Sequence, residues 1–166
     1  MVRVSRCFGP FMPSSVAAVS TLCHQVAALP WRREADGSIS VLLITSRASG
    51  KWMLPKGWPM KGLSEADSAR QEALEEAGVE GEIDDQAIGS YRYSKLFNDG
   101  SSVPGQAIIF PLAVKRERKD WKEKGQRRRR WMSPREAAEA IHEPDLARFL
   151  NHLAAGRVVL QPVRAG

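Results

Sequence analysis

Apolar residues come in short runs that break at glycine, proline or charge. Residues 39–45, Ile-Ser-Val-Leu-Leu-Ile-Thr, are β-branched and nearly continuous, which predicts a strand buried on both faces. Residues 25–31 predict a strand before it, ended by charge and the Asp36-Gly37 turn, and 52–55 predict a short one after it. Residues 87–95 and 107–114 predict two more, separated by Asn98-Asp99-Gly100 and a flexible 101–105 stretch, and 130–132 predict a last short strand. Residues 64–77 read differently. Ala66, Ala69, Ala73 and Ala77 recur at helical spacing, Ser64 caps with Asp67 three residues on, and Gly78 stops the run. Ser133-Pro134 opens a helix to Ile141, and Pro144 opens another to about Ala154. No tandem repeat and no Rossmann glycine fingerprint is present.

The 166 residues, 43% hydrophobic and 27% charged, suit one globular domain. No apolar run approaches the ~20 residues of a membrane span. The first twenty residues place Arg3 and Arg6 before a mildly apolar stretch. Pro10 and Pro13 interrupt it and no small-residue cleavage site follows, so a loosely ordered arm is expected rather than a signal peptide. The domain is expected over 21–155, with 156–166 as a tail. Cys7 and Cys23 form no Cys-x-x-Cys pair, and His24, His142 and His152 lack zinc-ligand spacing. The histidines read as structural or surface residues, and the cysteines fit a reducing cytoplasm.

Charge is uneven. Lys115 to Arg130 holds ten basic and three acidic residues, a net of +7 against +6 for the whole chain, so the remainder nets −1. Such a run suits a polyanionic ligand or nucleic acid, although a solvated loop shows the same composition.

Glu72, Glu75 and Glu76 stand at i, i+3 and i+4, which on a regular helix puts three carboxylates on one face. Their repulsion weakens a helix unless something offsets it. A hard divalent cation would, because Mg2+ takes carboxylate oxygens and keeps positions for water and phosphate. A solvated acidic face has the same spacing, but the loop ahead differs from an ordinary one. Residues 55–62 hold Gly57 and Gly62, which let backbone approach a ligand, and Lys56 and Lys61, which bring positive charge. Loop and helix together suit metal-assisted cleavage of a phosphoanhydride.

This stretch resembles the Nudix box, G-x5-E-x7-R-E-U-x-E-E-x-G-U, where U is a bulky aliphatic residue. Gly57, Glu72, Glu75, Glu76, Gly78 and Val79 match in the correct spacing, while Leu63, Gln71 and Ala73 replace its first Glu, its Arg and its first aliphatic residue. Glu65, seven residues before Glu72, is a candidate substitute for the missing Glu. The resemblance covers roughly residues 25–153. It implies an α/β (α+β) fold, a Nudix-like α/β/α sandwich with a mixed sheet between helices. It also implies a pyrophosphohydrolase using Mg2+, with Mn2+ as the alternative. Gly57, Glu72, Glu75 and Glu76 are the metal residues it implies, and Glu75 the base that activates water.

Outside the box, Thr45-Ser46-Arg47, Lys51-Trp52, Asp120-Trp121 and 127–131 are similar to the branch typified by diphosphoinositol polyphosphate phosphohydrolases, which also act on diadenosine polyphosphates. That similarity implies substrate contacts at Ser46, Arg47, Lys56 and Arg127, with Arg129 beside them. Several forked guanidinium groups suit a substrate rich in phosphates. Trp58 replaces the family's second loop glycine, and Trp121 and Trp131 are core residues or stacking platforms. The expected partner is a small phosphate-rich molecule, with nucleic acid less favoured, no membrane, and a monomer or homodimer as the assembly. Two alternatives stay open: an RNA 5′-end pyrophosphohydrolase and a Nudix-like module that binds nucleotide without cleaving it.

Overall fold

The computed structural model describes residues 22–164, so the expected N-terminal arm lies outside the described residues. Eight strands form one mixed sheet. They are β1 (Cys23–Arg33), β2 (Ile39–Thr45), β3 (Trp52–Met53), β4 (Lys56–Gly57), β5 (Val79–Ile83), β6 (Gly89–Leu96), β7 (Ser102–Glu117) and β8 (Arg129–Met132). The main order is β3-β2-β1-β7-β5, with β4 on β1, β6 on β7 and β8 on β2. β1 and β7 run parallel, from Cys23 opposite Gly105 to Trp31 opposite Ala113, and the other strand pairs are antiparallel.

Helix α1 (Glu65–Glu72) continues into a π-helical turn (Ala73–Ala77), and α2 (Pro134–Ala140) and α3 (Pro144–Ala154) follow β8. Each sheet face has its own core. On one face, Ala66, Ala69, Ala73 and Ala77 meet Val26, Ala28, Leu42, Ile44, Phe110 and Leu112. The absence of bulk on the helix lets its backbone lie close to the sheet. On the other face, α2 and α3 cover Leu29, Leu43, Tyr91, Tyr93 and Ile109 with Ala137, Leu146, Leu150 and Leu153.

The expected strands are present with shifted ends. The 101–105 stretch is not a flexible loop, because Ser102 opens β7 and pairs with Leu96. β4 and β5 were not expected. β4 is two residues long and β5, Val-Glu-Gly-Glu-Ile, carries two charges and a glycine, so neither shows a strand-length apolar pattern. Part of the expected tail belongs to the domain, since Leu160 is buried in the α2/α3 core and Val158 packs against it.

Candidate active site

The Ser64 hydroxyl accepts from the Asp67 amide at 3.0 Å and starts α1. At Glu72 the winding widens into the π turn, which Gly78 ends at φ 65°. Wider turns of this kind recur at functional sites because they re-aim side chains. Here the carboxylates part company, so the expected single acidic face is not formed. Glu72 and Glu76 share a hydrogen bond, whereas Glu75 turns outward to the Gln71 amide at 2.9 Å and the Lys122 ammonium at 2.8 Å.

Gly57, on β4, lies directly against the Glu72 carboxylate, and a β-carbon at 57 would collide with it. Glu76 is 5% exposed. Burial pushes its carboxyl up to about 8; Arg127 opposes the rise and Glu72 adds to it. Glu72 is raised too, by burial first and then by the charge of Glu75, while its hydrogen bond with Glu76 pulls the other way. Glu75 is lowered by its hydrogen bonds from Gln71 and Lys122.

Arg127 is the buried counter-charge. Its Nη2 sits 2.9 Å from Glu76 Oε2, its Nε is 2.5 Å from Glu123 Oε2, and its Nη1 donates to the Thr45 carbonyl at 3.1 Å. The Glu76 contact is an ion pair without hydrogen-bond alignment, so Glu76 Oε2 is a buried oxygen lacking a donor. Two facing carboxylates, Glu76 buried with an orphaned oxygen and Glu72 half-buried, fit a hard cation: it would take the place of the shared proton. As they stand, no three acidic side chains among the described residues converge on one point. Glu72 and Glu76 would hold the ion beside the Gly57 backbone, with Glu123 next to them.

Glu123 had no sequence motif to announce it. Its one signal is an acid four residues before Arg127 inside a basic run. Its amide donates to the Glu75 carbonyl at 3.2 Å, and its carboxylate also meets Arg47 at 3.4 Å.

Two members of the basic run, Arg127 and Arg129, turn inward, while its other eight basic residues are exposed. The last carbonyls of a helix lack partners, and here the 118–129 segment supplies them. The Trp121 indole donates to Glu76 O, the Arg129 guanidinium to Ala77 O, Gly78 O and Arg118 O, and the Arg118 amide to Gly78 O. Arg129 stacks 4.1 Å over the Trp121 ring, which lies against Gly78 so closely that a β-carbon there would be 2.6 Å from it. Positive charge at a helix C-terminus is also favoured by the helix dipole. Arg127 and Arg129, expected on the substrate, are thus committed inside the protein. Trp131 is taken by Arg32 and Glu117, so neither Trp121 nor Trp131 is an open platform.

Ser46 shapes the turn after β2, its hydroxyl accepting from the Ser49 amide at 3.3 Å. Arg47 is 55% exposed and reaches Gln126 at 3.1 Å. Lys56 is half-buried; its ammonium donates to Gln25 Oε1 at 3.2 Å and lies 4.3 Å over the Tyr93 ring. Among the departures from the box, Leu63 is exposed and Gln71 orients Glu75. Glu65, the candidate substitute for the missing glutamate, meets His24 with its carboxylate at 2.9 Å.

Sheet, loop and carboxylate pair define a domain that presents hard oxygen atoms beside a loop bearing Gly57 and Lys56. The NUDIX domain family matches residues 24–153, and the chain belongs to the Nudix family. It is 35% identical over 122 residues to Nudix hydrolase 21, chloroplastic, of Arabidopsis thaliana, covering 69% of this chain and 57% of that protein's length. It is 28% identical over 137 residues to diphosphoinositol polyphosphate phosphohydrolase 3-alpha of Mus musculus, covering 80% and 78%. A solved Ap4A hydrolase binary complex from C. elegans shares the fold at a TM-score of 0.60 and 18% identity, over 82% of this chain and 98% of that one.

Proposed function

We propose that this protein is a divalent-cation-dependent pyrophosphohydrolase that cleaves a phosphoanhydride bond in a small phosphate-rich substrate, a diphosphoinositol polyphosphate or a dinucleoside polyphosphate. The observation that carries this reading is the pairing of buried Glu76 with half-buried Glu72, closed by Gly57 on one side and Arg127 on the other. A purely structural pair of buried carboxylates would be costly, because each resists ionisation away from water.

A divalent cation bound here supplies charge neutralisation for the developing negative charge on phosphorus-bound oxygens. The chain's own residues do the rest. Glu72 and Glu76 are fixed by burial, Gly57 keeps the space between loop and helix open, and Arg127 holds Glu76 and Glu123 in place. Glu75, ionised at neutral pH and oriented by Gln71 and Lys122, is the residue we assign to take the proton from attacking water. Ser46, Arg47 and Lys56 are the assigned substrate contacts; Arg47 is the accessible guanidinium among them. Arg127 and Arg129 serve the protein's own carbonyls and carboxylates, whereas the exposed remainder of the basic run keeps the RNA 5′-end reading as the alternative.

The test is hydrolysis by purified protein of a panel of phosphoanhydrides, with products identified by mass. Mg2+ or Mn2+ should be required and chelator should abolish turnover. Glu75→Gln should lower kcat while leaving metal affinity intact. No hydrolysis of any phosphoanhydride with either metal would overturn the proposal.

A further inference from the structure

Lys56 and Trp58 on the loop face Tyr93 and Lys95 on β6. Lys56 Nζ lies 4.3 Å from the Tyr93 ring centroid, and Lys95 Nζ lies 4.6 Å from the Trp58 ring centroid. The contacts are reciprocal: each segment supplies one ammonium and one ring. Residues two apart on an extended segment share a side, which explains how both pairs form at once.

The arrangement brings two like charges together, near enough for Lys95 to disfavour the charged form of Lys56, with burial the larger cause. Glu76 and Glu143 oppose this and Arg127 adds to it. Yet neither ammonium has a carboxylate within ion-pair distance among the described residues. Arg127, by contrast, is paired twice. Lys56 uses one of its three donors, on Gln25, which also receives the Tyr93 hydroxyl at 2.5 Å. The Tyr91 hydroxyl and Glu143 Oε2 nearby are buried with no hydrogen-bond partner. Rings hold both ammonium groups in position without neutralising them, so an anion placed between or beside them is favoured by both charges.

We infer that Lys56 and Lys95, braced by Tyr93 and Trp58, form an anion subsite for a phosphate group of the substrate on the β6 side of the carboxylate pair. Arg47, at the end of β2, approaches from another side: β1 and β7 separate β2 from β6 in the sheet. The two cationic positions therefore suit a substrate that carries phosphate on both sides of the bond to be broken, rather than a nucleoside diphosphate joined to a neutral group. This rests on the hydrolase reading for its meaning, but the subsite can be tested without turnover.

Inorganic tripolyphosphate serves as the probe, titrated into the full chain with chelator present and followed by calorimetry and by tryptophan fluorescence. The wild-type protein should bind it. Lys95→Met, which keeps length and removes charge, should weaken binding about tenfold or more, the scale of one charge-assisted contact. Lys95→Arg should restore it, and Trp58→Phe should remove most of the fluorescence response. A wild-type protein that does not bind tripolyphosphate would overturn the subsite, as would Lys95→Met binding unchanged with the fold intact by circular dichroism. Binding that responds as expected in a protein that hydrolyses nothing would leave the subsite standing and remove only the hydrolase reading.

Discussion

On one side of the carboxylate pair stand Arg127 and Arg129, and on another Lys56 and Lys95. All four carry one positive charge, but the arginines are spent on the protein and the lysines are not. Arg127 sits against Glu76 and Glu123, and Arg129 closes the end of the π turn. The lysines rest on aromatic rings with no carboxylate in contact. Guanidinium groups suit the first task because their planar fork meets several oxygens at fixed angles. An ammonium on a flexible stem suits the second, since it can turn its remaining donors to a guest. Density of charge in a sequence therefore says little about which charges are available.

The comparison breaks first at Arg127. Arg127→Ala removes the buried guanidinium shared by Glu76 and Glu123, leaves Glu123 with Arg47 alone, and should cost about 3–5 kcal/mol of stability. Lys95→Ala should cost under about 1 kcal/mol. Urea denaturation of both variants checks this, and similar losses would erase the distinction.

Glu76→Gln attacks the same ion pair from its acidic side. It should lower kcat/KM by about 100-fold, roughly 2.7 kcal/mol of transition-state stabilisation, with the fold retained. Steady-state kinetics at saturating Mg2+ is the measurement, and unchanged activity would remove Glu76 from the metal site.

A smaller effect concerns pH in the metal-free protein. The Glu76 carboxyl titrates near 8 when folded and near 4.5 when unfolded. Between those values the folded state holds the proton and the unfolded state does not, so stability falls as pH rises through the window and levels off above it. A loss of stability with rising pH is expected in chelator, and Mg2+ should flatten the curve. Urea midpoints from pH 5 to 8.5 decide it, and stability that rises across this range would contradict the buried, protonated pair.

Gln71→Ala should have the mildest effect, lowering kcat about three- to tenfold by releasing Glu75. An equal loss in Glu75→Gln and in the double variant would show that Gln71 acts through Glu75.

The main strands and all three helices were legible because their apolar spacing and caps are local. Ser64, Ser133 and Pro144 stand where the helices begin. Gly57, Glu72 and Glu76 were legible as a set through the resemblance to the Nudix box, and the structure brings them together. The outward turn of Glu75 was not, because helical spacing assumes regular winding and the π turn breaks it. The commitment of Arg127 and Arg129 was not, because their acceptors are carbonyls and a carboxylate tens of residues away. Glu123 and Lys95 were hidden for the same reason: each is an ordinary charge until the fold brings it to Arg127 or to Trp58.

The parallel pairing of β1 with β7 also bears on how fast the site can come into being. It joins residues 23–31 to 105–113, so some eighty residues of chain must be spanned before the ladder closes. Such nonlocal pairings are slow to form because loop-closure entropy is spent before contacts offset it. The Gly57 loop hangs on β1 and Lys95 on a strand paired to β7, so their juxtaposition waits on that closure. A register slip of one residue would turn Gln25 to the opposite sheet face and dismantle the support of Lys56. During refolding, helical signal from α1 and α3 should thus return well before tripolyphosphate binding does, which makes ligand binding a late reporter of folding in this chain.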